Sequence, residues 1–232
     1  MKLVVGNKCY SSWSLRPWLL MRALNLPFEE VLLPFGPTMD DPAWKAKLAA
    51  YTPGGKVPVL VDGTTQVWDS LAIIEYLAEC HPQAGVWPKD KAARAFARCI
   101  ASEMHAGFNG IRGACPMNLG KRYASKDRGS RVAADVARLS AIWNEARANH
   151  GAGGPFLFGA FGAADAMFAP VATRIRTYGI KVDAVSEAWI EAIHTHPAFV
   201  AWRDAALQEP WIVAVDETDE PASENFRPHL SW

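Results

Sequence analysis

The chain has 232 residues, with 24 Lys+Arg against 24 Asp+Glu, so its formal net charge is zero. A protein that neutralises several phosphates carries a basic excess or stripe, and no run here exceeds two basic residues, which argues against nucleic-acid and polyanion partners. Apolar residues make up 50% and charged residues 21%, the composition of a globular protein rather than a disordered or fibrous one.

The apolar runs at 156–161 and 164–171 are broken by Gly, Asp or Pro, far short of the roughly 20 residues of a membrane span. Residues 1–6 lack the apolar core of a secretion signal. A soluble, cytoplasmic protein is the expectation. Cys9, Cys80, Cys99 and Cys115 stand far apart without the spacing of a disulfide framework or a zinc knuckle, so reduced thiols and no metal site are expected. Ten tryptophans form a surplus of apolar area, each with one N–H to satisfy.

In chain order, residues 2–5 read as a strand and 15–24 as a helix. A second strand at 28–33 lies between Pro27 and Pro34. A short helix at 43–50 is broken by Thr52-Pro53-Gly54-Gly55. Residues 57–61 and 66–68 are strands joined by the Asp62-Gly63 turn. Asp69-Ser70 caps a helix at 71–80 whose Leu71, Ile74, Leu77 and Ala78 share one face. After the Pro/Gly-rich linker at 81–88, helical patterns fill 91–112, 128–149, 163–178, 185–194 and 197–207, with no strand among them. The expected fold is therefore a small α/β domain over 1–80 and an all-α domain over 89–232. Its tail from Glu209, with Pro210, Pro221 and Pro228, reads as an extended segment packed on the body.

Two stretches of the first domain look unlike packing. Asn7-Lys8-Cys9-Tyr10-Ser11-Ser12-Trp13-Ser14 leads from the first strand into the first helix. A helix N-terminus presents free N–H groups and partial positive charge, so an anion such as a thiolate is stabilised there, and a hydroxyl can donate to it. The plainer role is that Ser12 or Ser14 merely caps the helix. In Gly55-Lys56-Val57-Pro58-Val59-Leu60 a proline opens a strand, where it belongs because it lacks the ladder N–H. A cis Val57-Pro58 bond would turn the Val57 peptide groups toward an extended peptide, while the trans form is the commoner one.

The β-α-β-α-β-β-α order, Val57-Pro58, the Asp69-Ser70-Leu71-Ala72-Ile73-Ile74-Glu75-Tyr76-Leu77 run and the helical second half resemble a cytosolic glutathione S-transferase over nearly the whole chain. Ser11-Ser12-Trp13-Ser14-Leu15-Arg16 is similar to the signature of the bacterial zeta-like members, which include maleylacetoacetate isomerases, with Trp13 in place of their cysteine. The resemblance implies a thioredoxin-like N-terminal domain that holds glutathione as co-substrate, and a helical domain that supplies the second-substrate pocket, in a homodimer. Ser11 then matches the donor to the glutathione sulfur, with Ser12 beside it. Val57 matches the residue whose backbone pairs with the cysteinyl part, and Asp69 and Ser70 match the pair that holds the γ-glutamyl end. Lys56 is placed for the glycyl carboxylate. Tyr10, Trp13, Met104, His105, Phe108 and Arg112 become candidates for the second-substrate pocket.

Three activities are compatible with this resemblance: transfer of glutathione to a small hydrophobic electrophile, glutathione-dependent cis-trans isomerisation of a maleylacetoacetate-like substrate, and thiol-disulfide reduction through Cys9 in Cys9-Tyr10-Ser11-Ser12. Arg174 and Arg176 lie near an arginine that binds substrate carboxylate in zeta members, but alignment from Pro170 puts Thr177 there. Gly162 occupies the cap of the 163–178 helix, so Asp165 alone can reach back to it, and Asp165 reads as structural.

Overall fold

The computed structural model describes residues 1–36 and 41–230. Strand β1 (Lys2–Val5), helix α1 (Ser12–Ala23), β2 (Glu29–Leu32), α2 (Pro42–Ala49), β3 (Val59–Asp62), β4 (Thr65–Trp68) and α3 (Ser70–Cys80) form the first part. The sheet order is β2-β1-β3-β4, with β2 parallel to β1 and the other pairs antiparallel. Central β1 is apolar at consecutive positions because both faces are covered. Leu3 and Val5 pack with Leu15, Leu19, Ile73 and Leu77 of α1 and α3, whereas Val4 joins Trp44 and Leu48 of α2. The Val57–Pro58 peptide is cis, and β3 begins two residues later than the sequence pattern suggests, leaving Pro58 outside the ladder.

The second part holds α4 (Lys91–Ala106), α5 (Asn109–Ala114), β5 (Lys121–Tyr123), α6 (Ser130–His150), α7 (Ala163–Thr177), α8 (Ala184–Thr195), α9 (Pro197–Leu207) and β6 (Ala222–Asn225). Helix α7 is its centre, packing on α1, α4 and α8, and its residues are buried nearly throughout. Asp165 fixes its start by accepting from the N–H groups of Gly162 (3.0 Å) and Leu157 (3.0 Å) and from Trp189 Nε1 (2.8 Å). Because α7 touches both parts, one apolar core runs from the sheet into the helices.

Two sequence expectations fail here. The single helix at 91–112 is divided: α4 stops at Gly107, and Phe108 takes a left-handed conformation (φ 59°) before α5. A side chain at Gly107 would collide with the Glu103 carbonyl. Arg112 turns back to donate to the carbonyls of His105 and Gly107, each at 3.3 Å, satisfying groups that the interrupted helix leaves open. The second part is also not strand-free, because β5 and β6 form an antiparallel ribbon with an irregularity at Arg122/Tyr123. These three- and four-residue polar strands carry no apolar alternation for a sequence pattern to register.

The tryptophan surplus is largely structural. Trp143 and Trp189 are stacked obliquely at 4.5 Å, and Trp202 meets Trp18 edge-on at 5.0 Å. Trp232, at the end of the tail, lies outside the described residues. No described helix is long and apolar enough to cross a membrane.

Candidate active site

A cleft of about 680 Å³ opens between the first part and helices α5 and α7. One wall is the loop that carries Tyr10, Ser11, Ser12 and Trp13. Lys56 and Val57 line it before β3, Phe35, Trp44 and Lys45 line it from β2 and α2, and Arg112 and Arg174 line it from the helical part.

Ser11 is the N-cap of α1, the role the sequence offered to Ser12 or Ser14. Its N–H donates to the Asn7 carbonyl at 2.7 Å and its hydroxyl to Ser14 Oγ at 2.8 Å. Its oxygen receives the Ser14 N–H at 3.4 Å. Buried Ser14 in turn accepts the Gly6 N–H at 3.1 Å. Since Ser14 Oγ already accepts from Gly6, its own proton can point to Ser11 with the same oxygen separation, which frees the Ser11 proton for the cleft.

The loop is braced from far along the chain. Glu209, just past α9, is buried and accepts the N–H groups of Lys8 (2.7 Å) and Cys9 (3.2 Å), while Trp202 Nε1 donates to the Lys8 carbonyl (2.9 Å). Burial raises the Glu209 pKa, opposed by those two N–H groups and by Lys8. The Tyr10 hydroxyl donates to Glu217 at 2.6 Å and receives Arg227 Nη2 at 3.4 Å. Burial, nearby Cys9 and this carboxylate keep the phenol protonated, its pKa well above the usual value.

The helical side of the cleft is cationic. Arg112 lies over the Trp13 indole at 4.8 Å, and Arg16 of α1, outside the lining, lies over the same ring at 4.3 Å. Arg174 donates to the Cys115 carbonyl at 2.9 Å and to Ser12 Oγ at 3.4 Å. Burial and the neighbouring Arg112 lower the Arg174 pKa to about 10, which leaves it charged at neutral pH. Asp216, from the tail, is the only carboxylate among the described residues lining the cleft. Burial raises its pKa to about 6 against the pull of Arg174.

The structure therefore brings Tyr10, Ser11, Ser12, Trp13, Lys56, Val57 and Arg112 to one cleft. Pro58, Asp69, Ser70, Met104, His105 and Phe108 do not line it. Met104 is fully buried in the core and Phe108 packs toward Phe168 at 6.5 Å, and the break at Gly107–Phe108 sets both apart from Arg112. Asp69 has φ 74°, an uncommon backbone for a residue with a side chain. It caps α3 by accepting the Leu71 N–H at 2.8 Å, and its other oxygen lies 3.4 Å from His105 Nε2. The His105 ring meets Trp13 at 5.3 Å, which places Asp69 behind Trp13. Ser70 is buried and its hydroxyl accepts from Arg16 at 3.4 Å.

Cys9 does not line the cleft. Burial raises its pKa to about 11, and its S–H points to Asn118 Oδ1 at 3.7 Å. A thiol held protonated and covered lacks the thiolate character of a redox nucleophile. Asp216, Glu209 and Glu217 escaped the sequence reading because the tail has no periodicity. Arg174 escaped because alignment favoured Thr177, whose hydroxyl instead donates to the Asn118 carbonyl. Among the described residues, no His/Cys/Asp/Glu group has the arrangement of a metal site.

A mixed four-stranded sheet joined through α7 to a helical part is the fold of the glutathione transferases. The family models for the glutathione S-transferase N-terminal domain and C-terminal domain match residues 10–80 and 126–205. The chain belongs to the glutathione S-transferase family. It is 36% identical to a probable maleylacetoacetate isomerase of Caenorhabditis elegans over 97 residues, a stretch covering 42% of each protein and so less than half of that relative. A Burkholderia glutathione transferase homologue with bound glutathione superposes with TM-score 0.66 at 18% identity, covering 90% of this chain and 98% of that one. A maleylacetoacetate isomerase from Methylobacterium extorquens AM1, with bound malonate and glutathione, gives TM-score 0.63 at 21% identity, over 90% and 98% of the two chains.

Proposed function

We propose that the cleft binds glutathione with its sulfur beside Ser11, and that the thiolate formed there attacks a small electrophile seated toward Arg112 and Arg174. The hydrogen-bonded series from Gly6 N–H through Ser14 to Ser11, at the N-terminus of α1 and opening on the cleft, carries this reading. A free thiol has a pKa near 8.5. A hydrogen bond to a charged group contributes about 1.5–3 kcal/mol, and one pKa unit corresponds to about 1.36 kcal/mol, so Ser11 alone lowers the thiol by about one to two units. The helix terminus adds a few tenths of a kcal/mol to 1 kcal/mol more. Thiolate then becomes the main species near neutrality, and Ser11 keeps its proton throughout. The sulfur forms the new bond to carbon as the electrophile's leaving group departs with its electron pair.

The remaining assignments follow from the same pose. The Val57 backbone pairs with the cysteinyl residue, and exposed Lys56 meets the glycyl carboxylate. On the family resemblance, Asp69, half-buried at the start of α3 beyond the residues that line the cleft, takes the γ-glutamyl ammonium. With its hydroxyl held by Arg16, Ser70 contributes through its backbone at the start of α3. Two folding units, 1–80 and 89–232, enclose the cleft. We assign the homodimer contact to the edge containing β4, where Trp68 stands 46% exposed.

The second reading is a cis-trans isomerase, in which the thiolate adds to a conjugated double bond, rotation follows, and elimination regenerates the thiolate. Arg174 in the cleft wall favours it, because a paired cationic wall suits a substrate carboxylate. Both readings are tested by Ser11→Ala and Cys9→Ser with glutathione and 1-chloro-2,4-dinitrobenzene. Ser11→Ala is expected to lower kcat/KM at pH 6.5 by roughly ten- to a hundredfold, following the one to two pKa units above, and Cys9→Ser to leave it unchanged. The reverse pattern would sink the Ser11 scheme. Turnover of maleylacetoacetate that is lost in Arg174→Gln selects the isomerase.

A further inference from the structure

The tail after α9 brings one group into the cleft that the glutathione pose leaves without a role. Asp216 ends a single 3₁₀ turn, Ala214–Asp216, and shares the cleft lining with Ser12, Arg112 and Arg174. The turn is closed by the Asp216 N–H on the Val213 carbonyl (3.0 Å) and the Glu217 N–H on the Ala214 carbonyl (3.2 Å). The chain is pinned on both sides of it. Before the turn, Arg227 Nη2 donates to the Trp211 carbonyl at 2.7 Å. After it, Glu217 accepts from the Tyr10 hydroxyl (2.6 Å), Asn118 Nδ2 (3.0 Å) and Lys121 Nζ (2.7 Å). Asp216 is thus a fixed part of the wall, while its neighbour Val215 is left exposed.

This carboxylate has left water without gaining a donor. Among the described residues no N–H or O–H donates to it and no cation lies in ion-pair contact, although Arg174 acts on it through space. A charge taken out of water is ordinarily paired or hydrogen-bonded. Burial accordingly pushes its pKa up to about 6, against the pull of Arg174, which leaves it ionised at neutral pH. Arg174 spends three of its five N–H groups on the carbonyls of Cys115 and Pro170 and on Ser12 Oγ, so two remain. A carboxylate that only accepts and a guanidinium that only donates therefore line one cleft with no bond between them.

We propose that Asp216 determines specificity in the second-substrate pocket: it accepts from a hydrogen-bond donor on the electrophile, beside an acceptor taken by Arg174, and turns away an electrophile that places a carboxylate there. The substrate class is a small electrophile with an uncharged donor–acceptor group, of which a carboxamide is the simplest. This role rests on the transferase reading of the cleft and adds the chemistry of its second substrate. One group supplies both halves of the selection, because a donor satisfies the unbonded oxygens whereas a carboxylate meets like charge. Arg112 remains for an anionic group elsewhere on the same molecule.

The test is calorimetric titration of the full chain with S-(2,6-dinitrophenyl)glutathione and with its two analogues that carry a carboxamide or a carboxylate para to sulfur. The Kd of each analogue is divided by that of the unsubstituted conjugate on the same protein, so any change in glutathione binding cancels. The parent is expected to hold the carboxamide roughly tenfold tighter than the carboxylate or more, the effect of one hydrogen bond to a charged group. In Asp216→Asn this preference should fall by roughly tenfold, since the amide neither repels a carboxylate nor offers a charged acceptor. Asp216→Glu keeps the charge and should keep the carboxamide preferred. Neither substitution removes a side-chain hydrogen bond within the described residues, and circular dichroism checks the fold. Equal normalised affinities in the parent, an unchanged ratio in Asp216→Asn, or a carboxylate preference in Asp216→Glu each overturns the proposal. Failure of the unsubstituted conjugate to bind the parent would overturn the cleft reading and this role with it. Because binding of preformed conjugates requires no thiolate, a failed Ser11 scheme would leave these ratios as they are.

Discussion

Glu209→Gln isolates the brace on the active-site loop. The buried carboxylate accepts two backbone N–H groups, from Lys8 at 2.7 Å and Cys9 at 3.2 Å. The amide oxygen of Gln can keep one of them, but its NH₂ then faces the other N–H, donor against donor. One bond to a charged acceptor is lost and a buried N–H is left unmade, a cost of about 2–3 kcal/mol. For a chain of this size that corresponds to about 4–12 °C in Tm. Calorimetry gives the stability, and a pH titration of the bound glutathione thiolate, followed by its ultraviolet absorbance, gives the local effect. A double-mutant cycle with Trp202→Phe should show coupling, because Trp202 Nε1 holds the carbonyl of the same Lys8. A Tm within a degree of the parent, or strict additivity with Trp202→Phe, would refute the brace.

Two further outcomes follow from the same geometry. Ser14→Ala removes the acceptor of the Gly6 N–H and should cost about 1–3 kcal/mol in urea unfolding. It should raise the bound thiol pKa by less than Ser11→Ala does, and an equal or larger rise would contradict the placement of Ser11 next to sulfur. Burial, with Arg176, Arg122 and Arg203 around it, lowers the His194 pKa from 6.5 to about 3 in the folded chain. The unfolded chain therefore binds more protons between these values, and stability falls as pH drops below about 6.5, by about 1.4 kcal/mol per unit at the steepest. Urea midpoints from pH 7 to 4 should flatten in His194→Gln by this amount, and parallel curves would show that folding leaves the affinity of this imidazole for a proton unchanged.

The first eighty residues were legible because each element there obeys a simple period or carries its own punctuation. Val59, Leu60 and Val61 form a short apolar run closed by the Asp62-Gly63 turn, Asp69 announces α3, and Pro58 marks the start of β3. The serine loop was legible as a place for an anion or a cap, since hydroxyls and free N–H groups meet there at a helix N-terminus. What stayed hidden depended on contacts between distant parts of the chain. Arg174 enters the cleft because of the rotation of α7, which Asp165 fixes through Trp189 of another helix. At the Gly107–Phe108 break only a glycine clears the Glu103 carbonyl, and no composition rule separates that glycine from one tolerated inside a helix. The β5–β6 ribbon is polar and short, so its only signal is the partner strand a hundred residues away.

The pairing of Lys8 with Glu209 spans 201 positions. During synthesis at roughly 5–20 residues per second, the loop emerges about 10–40 s before the carboxylate that receives its N–H groups. The sheet and α3 have their apolar neighbours within that interval, but the backbone leading to Ser11 has two N–H groups with no acceptor until α9 has passed. The loop is thus completed last although it is made almost first. Chains cut short within α9 would carry a folded sheet with an unsecured serine loop.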